Sequence, residues 1–256
     1  MHKHHLKNLT FIIMTLLFSA CSGGGGGGET ATTTPVVVTT PTPVTITKSI
    51  DGVVVDGAIK EAQVCLDINS NKTCDSTEPS ATTDVTGSFH LDVSQSPAGE
   101  YKVISYGGID VTTNQYFDTL LESVVSVKEG DTSLTTQITP LGTLASKIYD
   151  IEKQKDSTFT LTQAKEKVAT SLGITTAQVD ANPSEDKVTF EKSQKIVQTI
   201  KLLTATIEQD TTDRAANQTT SNQVFEQIVA TINENATATD IDVSQIVDKL
   251  QSSDST

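Results

Sequence analysis

Tryptophan is absent from this chain, aromatic residues make up 4% of it, and beyond residue 20 one histidine remains, His90. Each scarcity removes a class of chemistry. A Ser-His-Asp arrangement would have to use His90 as its base. Yet His90 sits in S-F-H-L-D-V, where Phe89, Leu91 and Val93 alternate and the imidazole falls on the opposite, solvated face of a strand. A zinc site of two or three imidazoles cannot be assembled from one. Basic residues are scarce as well: 18 Lys and Arg face 32 Asp and Glu, and Lys3 and Lys7 fall within the first 20 residues. A surface of that sign argues against nucleic acid as a partner, because phosphate recognition rests on Lys and Arg contacts. It suits solubility and cation binding. No enzyme is expected, and an exception would require clustered buried carboxylates, the one abundant acid–base group left.

Long apolar runs are also missing. Leu9 to Phe18 spans ten residues, too short to cross a bilayer, which takes roughly 20. It follows a basic segment with Lys3 and Lys7 and precedes the small residues Ser19 and Ala20, the pattern of an export signal over residues 1–20. Cys21 directly after small residues resembles the lipobox of bacterial lipoproteins, with Phe18 where that family usually carries Leu. The resemblance implies that the exported chain starts at a lipidated Cys21 and meets the membrane through that lipid. Ser22 in the next position, rather than Asp, implies outer-membrane sorting, facing the periplasm or the cell surface.

From Cys21 onward the chain divides by composition. Residues 21–48, with six consecutive glycines and then Thr, Pro and Val in low-complexity order, cannot bury a core and are expected to be a disordered tether. Residues 49–138 carry short, often alternating strand signals at Val53 to Val55, Ala62 to Asp67, Ser88 to Val93, Tyr101 to Tyr106, Ser123 to Val127 and Thr132 to Ile138. Turn residues such as Asp56-Gly57 and Gly107-Gly108 separate them, and six or seven such strands point to an antiparallel β-sandwich. Residues 139–252 change to helical period. Thr139 can cap, Pro140 suits the first helical position, and Leu141, Leu144, Ile148 and Ile151 recur at helical spacing. Thr160 with Gln163 makes a capping box, and Gly173 stops that helix. Ile196 to Ile207, Val224 to Ile232 and Val243 to Leu250 mark three more helices, so a small bundle is expected. The fold class read from this pattern is α+β.

One loop carries recognisable chemistry. D-I-N-S-N-K-T-C-D-S-T-E, from Asp67 to Glu78, places Asp67, Asn69, Asn71, Asp75 and Glu78 at positions one, three, five, nine and twelve of a twelve-residue calcium loop, with the Thr73 carbonyl at seven. Calcium takes six to eight oxygens at about 2.3–2.6 Å, and a chain wrapped around the ion delivers alternate side chains to it while the final Glu contributes two oxygens. Lys72 stands at position six, where Gly normally permits the bend. A left-handed non-Gly residue there costs roughly 1 kcal/mol or more. With three carboxylates the expected affinity is weak, about 10⁻⁴ to 10⁻³ M. Cys65 and Cys74 bracket the loop, and in an oxidising compartment such a pair is expected to bridge.

The stretch from Gly52 to Phe89, with its D-x-N-x-N loop from Asp67 and its T-D-x-x-G-x-F turn from Thr83 to Phe89, resembles the carboxypeptidase-regulatory-like, or Cna-B-like, modules of bacterial surface proteins. That resemblance implies a Cna-B/transthyretin-like sandwich and a mostly non-catalytic part, as stalk, adhesion element, carbohydrate-binding domain or scaffold. Taken together, an envelope-anchored lipoprotein with a structural or adhesive role at the cell surface is expected, its protein or glycan ligand unnamed. The alternative is a substrate-binding or accessory lipoprotein of an export or polysaccharide system. A concave site lined by exposed Tyr101, Tyr106, Tyr116 or Phe117 would favour carbohydrate or peptide binding, whereas a smooth polar surface would favour a spacer.

Overall fold

The computed structural model describes residues 47–207 and 214–234. Cys21, the segment before it, most of the tether and the helix expected from Val243 to Leu250 lie outside the described residues. Within them the fold is α+β, with ten strands preceding five helices.

Two sheets carry most of the strand residues. In the first, β1 (Ser49–Val54) lies between β10 (Ser133–Ile138) and β5 (Ser88–Asp92). The second has the order β4 (Ser80–Thr82), β3 (Gln63–Asp67), β6 (Gly99–Tyr106), β9 (Leu121–Val127). Three two-residue strands, β2 (Ile59–Lys60), β7 (Ile109–Asp110) and β8 (Gln115–Tyr116), form a small third sheet. Burial follows position. The inner strand β3 is buried at four of its five residues, whereas β10, an edge strand, alternates.

The strands are not wholly antiparallel, as their alternation had suggested. β10 runs parallel to β1, with Ser49 opposite Ser133 and Val54 opposite Ile138. Alternation fixes which face of a strand is buried but not its direction. A parallel pair needs a long crossover, and here the whole intervening strand region supplies it.

The T-D-x-x-G-x-F turn has a physical reading. The hydroxyl of buried Thr83 donates to the Ile59 carbonyl (2.7 Å) and accepts from the Ala62 N–H (2.8 Å). Asp84 Oδ1 accepts from the N–H groups of Thr86 and Ser88 (2.8 and 3.0 Å), tightening the turn that delivers Phe89 to the core.

Helix α1 (Pro140–Lys155) starts as its sequence dictates: Thr139 Oγ1 accepts from the Gly142 N–H, and Pro140 occupies the first turn. Helix α2 (Leu161–Leu172) opens on the Thr160–Gln163 capping box and ends at Gly173, left-handed at φ 63°. A short α3 (Thr176–Val179) precedes the long α4 (Lys187–Ile207) and α5 (Arg214–Glu234). Strand residues such as Ile50, Leu66 and Leu91 and helix residues such as Leu144, Ile200 and Phe225 belong to one continuous buried cluster. Phe225, Ile228 and Ile232 are core residues of that cluster, so this stripe presents no free apolar face.

Candidate functional site

The Asp67–Glu78 loop leaves the end of β3 and returns into β4. A disulfide between Cys65 and Cys74 closes it, with Cα atoms 5.6 Å apart. Constraining a segment of about ten residues is worth about 2.5–3 kcal/mol in the chain-entropy model. Lys72, at position six, has φ 61°, the left-handed conformation that a Gly would adopt there without strain, and Ser70 has φ 62°. The chain therefore makes the bend of a cation-wrapping loop despite lacking the glycine.

The oxygen-bearing side chains turn inward on one another. Asp67 and Glu78 are buried, whereas Asn69, Asn71 and Thr73 are exposed and Asp75 is half-buried. The Asp67 carboxylate accepts from the N–H groups of Asn71 (3.1 Å) and Lys72 (3.0 Å). Glu78 Oε1 accepts from Ile68 N–H (2.7 Å), and its Oε2 accepts from Asp75 N–H (3.1 Å). Asn69 and Asn71 both donate from Nδ2 to Asp75 Oδ2 (2.7 and 2.9 Å), and Asn71 Oδ1 accepts from the Thr73 N–H (2.8 Å). Positions three, five and nine thus meet at one point, and positions one and twelve brace the backbone around it. The atoms that meet there are two amide N–H donors and one carboxylate oxygen, so the Asn69 and Asn71 amides must turn their Oδ1 atoms inward before these side chains offer the hard oxygens that calcium takes. Among the described residues no three of His, Cys, Asp and Glu gather as a metal cluster. A cation here would rely on the Asn oxygens and a carbonyl as well as on carboxylates, and would draw Asp67, Asp75 and Glu78 together on binding.

Behind the loop lies a feature that the sequence did not single out. Asp67, Ser70 and Lys72 form one wall of a cavity of about 530 Å³ whose other walls include Glu122, Lys147 and Tyr149. Glu122, on β9, is 1% exposed. Burial alone would push its carboxyl up, but Lys147 and Lys102, together with the Ser146 hydroxyl, hold it below the usual carboxylate range. Lys102 Nζ lies 3.3 Å from Glu122 Oε1 and 2.9 Å from Asp150 Oδ1. Lys147 Nζ lies 4.0 Å from Glu122 and 2.5 Å from Glu226 on α5, to which Lys72 reaches at 3.5 Å. A chain of alternating charges therefore runs from the loop through α5 and α1 into the sheet. Only an isolated acid inside the apolar run L-E-S-V-V hinted at it, because its partners are remote in sequence.

The other candidate residues fall in different places. His90 is exposed and lies 2.7 Å from Asp51. Phe117 is buried in the core, and Tyr101 packs against it. Tyr106 and the exposed Tyr116 line one cavity, of about 410 Å³, together with Glu61, Gly107, Gly108 and Gln218. Glu61 there has φ 59°, a left-handed backbone carried by a non-Gly residue.

The chain matches no protein-family model and no curated protein. Among the described residues no helix is long and apolar enough to cross a membrane.

Proposed function

We propose that this protein is an envelope-anchored, non-catalytic lipoprotein, held by lipid on Cys21, whose calcium-stabilised β-sandwich serves a structural or binding role at the cell surface. The observation that carries this reading is the Asp67–Glu78 loop, where left-handed Lys72 supplies the bend, Asp67, Asp75 and Glu78 supply carboxylates, and Asn69 and Asn71 converge on Asp75, where a turn of each amide adds an oxygen suited to calcium. The sandwich reading is supported by the two larger sheets: both contribute to the same buried cluster, and Thr136 on β10 donates to Ser123 on β9 at 2.8 Å. Membrane attachment rests on the sequence pattern before Cys21. Mass spectrometry of the membrane fraction should find an acylated Cys21 and no peptide from residues 1–20. An unmodified mature chain outside the membrane fraction would refute the anchor.

The cavity shared by Tyr106 and Tyr116 favours a binding role over a plain spacer, whether at the cell surface or as a substrate-binding or accessory lipoprotein of an export or polysaccharide system. Aromatic faces beside Glu61, Gln218 and glycine backbone offer stacking and hydrogen bonds to a glycan or an extended peptide. A glycan and envelope-protein binding screen of wild type against Tyr116→Ala tests it. Equal profiles for the two proteins, or no ligand for either, favour the spacer.

A further inference from the structure

We propose that Asp56 is a proton-operated latch, which holds the turn after β1 against helix α4 while its carboxyl is neutral and loosens that contact when it ionises. Asp56 is 1% exposed. From α4, 138 residues along the chain, Gln194 Nε2 donates to the Asp56 carbonyl (2.7 Å) and to its Oδ2 (3.2 Å). The second carboxylate oxygen, Oδ1, is buried with no hydrogen-bond partner. A buried anion in that position lacks the donors it needs, whereas a neutral carboxyl is tolerated.

Two charged groups act on Asp56, in opposite senses. Asp110, on β7 and 2% exposed, opposes its ionisation, and Lys201, on α4, favours it. The oxygens of Asp110 already accept from the N–H groups of Thr112 (2.8 Å) and Thr113 (3.4 Å) and the Thr113 hydroxyl (2.9 Å). A single unfilled oxygen is far too little for a metal ion that takes six ligands or more. A proton suffices. Burial first, and the Asp110 charge second, push the Asp56 carboxyl up to about 7, with Lys201 opposing.

On ionisation the O–H bond breaks, the proton passes to bulk water and the negative charge stays on Asp56. That charge then needs water. The contact tying Asp56 to a distant element is Gln194, so hydration proceeds by parting α4 from the turn. The folded value lies above the ordinary 3.8, so the stability this group adds is complete below about pH 4 and lost as pH rises through about 7. The full loss is on the order of a thousandfold in the folding equilibrium.

Hydrogen-exchange protection factors of α4, measured between pH 5.5 and 8.5, test the latch. Wild type should lose protection in α4 by about tenfold per pH unit up to about 7 and then level off, while β3 keeps its protection. Asp56→Asn should hold α4 protection constant with pH, intact mass confirming no deamidation before Gly57. Gln194→Ala should show low α4 protection at every pH. If Asp56→Asn does not fold, wild type against Gln194→Ala decides: a fall that levels off near pH 7 in the first and a flat profile in the second supports the latch. Wild-type α4 protection that does not change with pH, or a fall shared equally by either variant, overturns it.

Discussion

Replacing Glu122 by Gln removes the negative charge at the centre of the network that joins loop, sheet and helices. Breaking a buried ion pair from one side costs about 3–5 kcal/mol, because the partner is left as an uncompensated buried charge. Here two lysines are left, Lys147 at 5% and Lys102 at 17% side-chain exposure. Each keeps a second carboxylate, Glu226 at 2.5 Å and Asp150 at 2.9 Å. The glutamine also keeps the volume and a hydrogen-bonding partner for Ser146. The expected loss is therefore about 2–3 kcal/mol, somewhat under that range. At about 2–4 °C per kcal/mol for a domain of this size, the melting temperature should fall by about 5–10 °C. The pH dependence follows from the lowered Glu122 value. A carboxyl depressed in the folded state adds stability above its unfolded value, and that stability is lost as pH falls through the folded one. The gap between wild type and Glu122→Gln should thus be full at pH 7 and close on acidification below about pH 4. Urea unfolding at both pH values measures it. A gap under about 0.5 kcal/mol at pH 7, with equal denaturant slopes, would refute the assignment of net stability to this network.

Two further perturbations test local geometry. A Cβ at Gly87, where φ is 78°, would lie 2.5 Å from the Val54 carbonyl oxygen, whereas one at Gly130, where φ is 85°, meets nothing within 4 Å. Gly130→Ala should cost about 1–2 kcal/mol from backbone strain alone, and Gly87→Ala distinctly more; equal thermal shifts for the two would contradict this packing. The double variant Cys65→Ala with Cys74→Ala should lose about 2.5–3 kcal/mol relative to the oxidised protein, measured by calorimetry, and an unchanged melting temperature would show that the loop is held by its hydrogen bonds alone.

Much of the architecture was legible wherever a signal is local. Alternation in S-F-H-L-D-V and the apolar run V-C-L-D located β5 and β3, and Thr139-Pro140 and the Thr160–Gln163 box located the starts of α1 and α2. Strands of two or three residues, such as β2, β7 and β8, carry too few positions for a period to register. The parallel β1–β10 pairing, the Lys147–Glu226 pair and the Gln194–Asp56 contact depend on how distant segments meet, which no local pattern encodes. In the candidate site, the positions of Asp67, Asn69, Asn71, Asp75 and Glu78 could be read from spacing, and the left-handed Lys72 followed from the place of the missing glycine. The charged cavity behind them could not, because its walls come from β9, α1 and α5 as well as from the loop.

Calcium binding to the Asp67–Glu78 loop is most directly tested by calorimetric titration of the oxidised protein at millimolar calcium, paired with melts in calcium, magnesium and chelator. One site with a Kd of about 10⁻⁴ to 10⁻³ M is expected, and a 100-fold excess over Kd should add about 2.7 kcal/mol of stability. Magnesium should add less, since it demands a near-octahedral set at about 2.1 Å and gives up water reluctantly. Glu78→Gln should abolish most of the calcium increment. Lys72→Gly should enlarge it by relieving the left-handed strain, although loss of the exposed Lys72–Glu226 pair, worth at most about 1 kcal/mol, should lower its melt in chelator. No calcium heat and three coincident melts would contradict the proposal, leaving the loop a polar turn stapled by Cys65 and Cys74.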